Sequence, residues 1–147
     1  MDRRVACLKT HEERESFARN AIALKRLGLA AEAHRRGFDL LAESHGGQTA
    51  VERDCLCAVY AYEAILTQKH GRKIRAGRTW PMIEKLGIVP AVERIVDRPA
   101  ESAAYFALVE MGLKDYSFKA VIMRHERHFS ARAIDRSRAR LAGHDAG

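Results

Sequence analysis

The chain carries only three cysteines, Cys7, Cys55 and Cys57, and no Cys-x-x-Cys pair. An odd, low count argues against a disulfide framework and points to reduced thiols in the cytoplasm. The opening MDRRVACLKTHEERES has basic residues with no apolar stretch behind them, so no secretory signal is expected. No apolar run approaches the roughly 18–20 residues that span a bilayer. Nothing alternates with period two for long enough to make a strand. A Gly-x-Ser-x-Gly elbow is missing, which removes one hydrolase signature. No linker divides the chain.

What is present is a chain of 147 residues, 47% apolar and 31% charged. That suits one soluble domain large enough to bury a core. Residues 11–27 read as a first helix stopped by Gly28. Residues 29–44 read as a second, with Ala30, Ala33, Gly37, Leu40 and Leu41 on one face and Gly46–Gly47 at its end. Over 49–69, Val51, Cys55, Ala58, Val59, Tyr62, Ile65 and Leu66 recur at three- and four-residue spacing, and Gly71 closes the run.

A short helix over 81–86 stops at Gly87. Pro90 and Pro99 suit the first turns of helices over 90–97 and up to Met111. Asp115 is placed to cap a helix through His125. Ser130 is placed to cap the last helix, with Phe129 and Ile134 spaced as a hydrophobic staple. The expected fold is all-α, a compact bundle of about seven or eight helices arranged as successive hairpins. Residues 1–10 would form an N-terminal arm, 11–142 a single domain and 143–147 a flexible C-terminal tail.

LKRLGLAAEA, IEKLGIVPAV and LVEMGLKDYS echo one another, but their spacing is too irregular for a solenoid. The first pair of helices, 13–42, looks like one tetratricopeptide-type hairpin. The unit around Gly112 also resembles a helix-turn-helix, with Leu113, Phe118 and Val121 at the apolar positions. Its second helix would then present Lys114, Ser117, Lys119 and Arg124 to base edges.

The net charge is +7, carried by 19 arginines and seven lysines. Such a balance favours DNA or RNA, anionic lipid heads or an acidic protein face, and the arginine fork matches phosphate oxygens. A GC-rich genome would yield the same Ala- and Arg-rich composition, so position matters more than number.

Two positions stand out. QKHGRKIRAGRTWP, residues 68–81, holds Lys69, Arg72, Lys73, Arg75 and Arg78 with no acid. As a loop feeding a helix, it brings cations to a positive helix end, which suits a phosphate. Trp80 would stack on a base or cover the loop from below. This is not a P-loop: Gly71 and Gly77 are five residues apart rather than four, and Arg78 replaces the lysine. The second position is the C-terminal stripe of Arg132, Arg136 and Arg140, four apart on one helix face. Pairing of Asp135 with Arg138 would leave that stripe open. If the two segments lay together they would form one cationic track.

Chemistry is sparse. His125 and His128 are three apart, not the four of a zincin, and Cys55 and Cys57 point to opposite sides of a helix. No metal, cofactor or catalytic group is expected. Glu63 sits among Tyr60, Tyr62 and Leu66 as a half-buried acid that would find an arginine partner, and His34 and His70 read as surface or capping residues. An enzyme assembled from distant residues such as Glu63 and His70 has the least support.

AVYAYEAILTQKHGRKIRAGRTWPMIEKLGIVPAVERIV, 58–96, and YFALVEMGL, 105–113, resemble uncharacterised all-helical bacterial proteins. The resemblance runs over roughly residues 15–141 and implies a helical bacterial domain, with no activity attached. Another residue is expected at position 81 in those proteins, so Pro81 bears on local loop geometry. The functional expectation is nucleic-acid binding through phosphates in an accessory or regulatory role. The alternative is a helical protein-interaction module with tetratricopeptide-like hairpins.

Overall fold

The computed structural model describes residues 11–23, 27–98 and 100–146; the expected arm at 1–10 and Pro99 lie outside the described residues. Eight α-helices and no strand occur among them. They are α1 (His11–Ala23), α2 (Leu27–His45), α3 (Ala50–His70), α4 (Thr79–Leu86), α5 (Ile88–Ile95), α6 (Ala100–Glu110), α7 (Phe118–Arg124) and α8 (Ala131–Ala146), with short 3-10 turns at Lys114–Tyr116 and Glu126–His128. The bundle is all-helical, as the periodicity predicts. No described helix is long and apolar enough to cross a membrane.

α3 is the axis around which the rest packs. Thr49 accepts from the Glu52 N–H and Glu52 reaches back to Thr49, a reciprocal cap that satisfies two otherwise orphaned donors. Gly71 closes the helix at φ 68°, a left-handed turn that favours glycine. Between these ends α3 is apolar on opposite sides, the mark of a buried helix. Val51, Cys55 and Val59 join a core with Ile83, Val92, Ile122 and Phe129. Leu56, Tyr60 and Ile65 join a second core with Phe38, Leu108 and Leu113. A small third contact of Ala18 with Ala30 and Ala33 seats α1 on α2, where small side chains permit a close approach.

Several boundaries differ from the sequence reading. Gly28 is not a helix stop: it lies in the first turn of α2, and a Cβ there would meet nothing within 4 Å, so nothing demands glycine. Asp115 does not cap α7. It sits in the Lys114–Tyr116 turn, and Ser117 is the cap, accepting from the Ala120 N–H at 3.2 Å. Ser130 does cap α8, accepting from Ala133 at 3.2 Å, and Phe129 and Ile134 both pack into the first core. α4 starts at Thr79, ahead of Pro81. A proline in the first turn removes no helical hydrogen bond. Gly87, at φ 95° and ψ 163°, is at once the last cap of α4 and the first of α5.

Candidate functional site

The basic loop is built upward from Glu63. This acid lies on α3, 8% exposed. Its Oε2 accepts from the Ala76 backbone N–H at 2.7 Å and from the Trp80 indole Nε1 at 2.7 Å, and it pairs with the Arg75 guanidinium at 3.2 Å. One carboxylate oxygen therefore holds the loop backbone, the following helix and one loop cation. Charge-assisted bonds of this kind are about twice as strong as neutral ones. Thr67 adds a second tether, its Oγ1 accepting from the Ile74 N–H at 3.1 Å.

Trp80 is an internal part of this arrangement. Its ring lies between His45, with centroids 5.1 Å apart, and Tyr60, at 5.0 Å, and it packs against both cores. The Arg75 guanidinium lies over it at 5.2 Å, within cation–π range. Of the two roles expected for Trp80, the geometry fits the cover beneath the loop. Glu63 has the arginine partner anticipated for it, together with two donors that were not.

The helix end offers less to a phosphate than the sequence suggests. The Thr79 and Trp80 N–H groups both donate to the Ala76 carbonyl, at 3.0 and 3.2 Å. What remains exposed is the set of side chains Lys69, Arg72, Lys73 and Arg78, together with Arg75, which is 59% exposed although paired. Arg72 and Lys73 also line a cleft of about 600 Å³ between α1, α2, α3 and the loop. Phe38, Leu41, Tyr60 and Met111 supply its apolar lining. The buried His34 lines it as well and bonds through Nδ1 to Glu15 at 3.2 Å. Sequence reasoning missed this cleft, because its walls come from separate segments spread between residues 12 and 111.

The C-terminal stripe has a different environment. Arg136 pairs with Asp97 at 3.3 Å and Arg132 reaches the same acid at 4.0 Å. Arg140 donates to the carbonyls of Val96 and Asp97, which cap the end of α5 as basic side chains often do. Asp135 does pair with Arg138, at 3.9 Å, but that does not leave the stripe open as expected: Asp97, distant in sequence, takes it up. The loop hangs from Glu63 and Thr67 and the stripe from Val96 and Asp97, so the two segments are fixed by separate parts of the fold.

The helix-turn-helix reading fails on burial. Lys119 is 0% and Ser117 1% exposed, and Arg124 is turned onto the Asp115 carbonyl and Asp54. A recognition helix needs such side chains in solvent. His125 is likewise occupied, bonded to Asp54 at 2.7 Å. Cys55 and Cys57 are buried free thiols in different cores. Burial pushes both up to about 12, with the neighbouring Asp54 adding to it at Cys55 and Asp39 at Cys57. They stay protonated and poorly nucleophilic at neutral pH.

Compared with protein-family models, with curated proteins and with solved structures, the chain matches none of them.

Proposed function

We propose that this protein binds nucleic acid through backbone phosphates, with the 69–78 loop as its contact surface and an accessory or regulatory role in a bacterial cytoplasm. The observation that carries the reading is the Glu63 anchor. It holds the loop from beneath by its backbone and by Trp80, leaving Lys69, Arg72, Lys73 and Arg78 exposed on an ordered frame. Cations held in place lose less entropy on meeting phosphates than cations on a mobile loop. The +7 net charge adds long-range attraction. The buried thiols are in keeping with a reducing compartment.

The test is the variant with Lys69→Ala, Arg72→Ala, Lys73→Ala and Arg78→Ala together. Affinity for duplex and single-stranded DNA should fall across sequences, and the salt slope should flatten by about 0.9 per lost contact on duplex. Stability should move by under about 1 kcal/mol, as for exposed charges generally. An unchanged slope sinks the reading.

A second reading has its own observation. Phe106 and Val109 on α6 are 52% and 43% exposed, beside a groove of about 480 Å³ between α3 and α6 lined by Leu66, Ala103 and Ala107. An exposed apolar face of this kind suits a protein partner, and the protein-interaction module takes over if the loop variant binds unchanged.

A further inference from the structure

The cleft beside the loop is joined to it through Arg72 and Lys73, which belong to both. Its volume of about 600 Å³ lies inside the range of roughly 300–1,000 Å³ usual for small-ligand sites. The chemistry of its walls is divided. Arg72 and Lys73 stand on the loop. Leu41, Ala64 and Ile74 make the accessible apolar lining, with Phe38 and Tyr60 buried behind it, and Thr67 and Gln68 bring polar groups among them. Among the lining residues on α1 the carboxylates Glu12 and Glu15 outnumber the one cation, Arg19, so that wall favours a phosphate less than the loop does. A ligand matching this division has an anionic end at the loop and a flat, largely apolar body with N–H groups that a carboxylate can accept.

We propose that the cleft takes one unpaired nucleotide of a single strand, its phosphate at Arg72 and Lys73 and its base against the accessible apolar lining of Leu41, Ala64 and Ile74. This rests on the phosphate-binding reading of the loop and adds a preference to it. A paired base is stacked inside its duplex and reaches such a cleft only after costly extrusion. An unpaired base enters freely and gains by burying its apolar face against that lining, whatever its sequence. The loop alone would bind both forms of nucleic acid through phosphates. The cleft separates them.

The experiment compares four ligands at one low salt concentration: a 12-mer DNA single strand, the blunt duplex of the same sequence, a single strand in which abasic sugars replace the nucleotides, and adenosine monophosphate. The single strand should bind about tenfold more tightly than the duplex, with the abasic strand close to the duplex, as loss of one base contact implies. Ala64→Phe, which fills the cleft from α3, should bring the single strand down to duplex affinity and leave duplex binding alone. Gln68→Trp obstructs the same space from an exposed position and takes its place if Ala64→Phe fails to fold.

Equal affinity for single strand, abasic strand and duplex overturns this inference and leaves the loop reading standing. Absence of binding to any strand overturns both. Adenosine monophosphate binding as tightly as the strand overturns the assignment to a strand and makes the cleft a site for a free nucleotide.

Discussion

The 69–78 loop and the 132–140 stripe are both dense in cations, yet each meets its acid differently. In the loop, Glu63 bonds mainly to a backbone N–H and an indole and takes one guanidinium, Arg75. Arg75 itself stays 59% exposed, and the other loop cations are exposed as well. In the stripe, Asp97 faces the guanidinium groups themselves, pairing with Arg136 at 3.3 Å and lying 4.0 Å from Arg132. Arg140 turns inward onto carbonyls at the end of α5. Cation density is therefore a poor guide to a phosphate surface. The deciding matter is whether the nearest acid holds the chain or holds the charges.

The strongest test of this contrast is Trp80→Ala. If the ring is the floor of the loop, its loss costs about 3–4 kcal/mol, as for large core aromatics, read by urea unfolding. A loss under about 1 kcal/mol would detach the loop from the core and return Trp80 to the ligand side. Glu63→Gln comes next. It leaves the Ala76 N–H, the indole and Arg75 with a neutral, partly mismatched partner, at a cost of about 2–3 kcal/mol. Amide exchange at Ala76 should speed up, while Val96 and Asp97 at the stripe stay protected. Acceleration in both regions would erase the distinction between them.

The two thiols report on the two cores separately. Unfolded thiols ionise near about 8.5, whereas Cys55 and Cys57 are held up to about 12 when folded. Their share of stability is whole below the unfolded value. It falls as pH rises toward 12, by about 1.4 kcal/mol per pH unit for each thiol. Between about pH 8.5 and 10, before tyrosine ionises, Cys55→Ala and Cys57→Ala should each remove one thiol's contribution to that slope. A slope that neither variant changes refutes the assignment. Asp97→Ala should have the smallest effect, under about 1 kcal/mol for partly exposed pairs. Since it releases Arg132 and Arg136, it should steepen the salt dependence of DNA binding. A flatter salt dependence would overturn the clamp.

The helices were legible because their signals are local. The three- and four-residue spacing of Val51, Cys55, Val59 and Tyr62 marks α3, and Gly71, Gly87 and Gly112 mark turns that the structure shows at positive φ. The Ser130 cap with its Phe129–Ile134 staple is also contained in a few residues. Gly28 misled because a glycine in a helix's first turn looks the same in sequence as one at a C-terminus. Asp115 misled because Ser117, two residues on, competes for the same role, while Asp115 bonds instead to Arg35 at 3.3 Å.

The site was half legible. The loop cations and the partly buried Glu63 are visible in sequence; what Glu63 bonds to is not, since Ala76 and Trp80 lie 13 and 17 residues away. The stripe was misjudged for the same reason, with Asp97 some forty residues from Arg136. The cleft is illegible altogether, because Phe38, Tyr60 and Arg72 meet only once α2, α3 and the loop have packed.

Gly87 has a genetic consequence. Its φ of 95° and ψ of 163° fall in a backbone region that essentially only glycine occupies. A Cβ there would have room, its nearest neighbour being Pro90 at 3.7 Å, so the objection to any other residue lies in the backbone and not in crowding. Size and polarity of the replacement are then immaterial. Among codon changes at this position only the synonymous ones should be silent, and a saturation library selected for folded protein should return a single amino acid at 87 while neighbouring Leu86 and Ile88 return several.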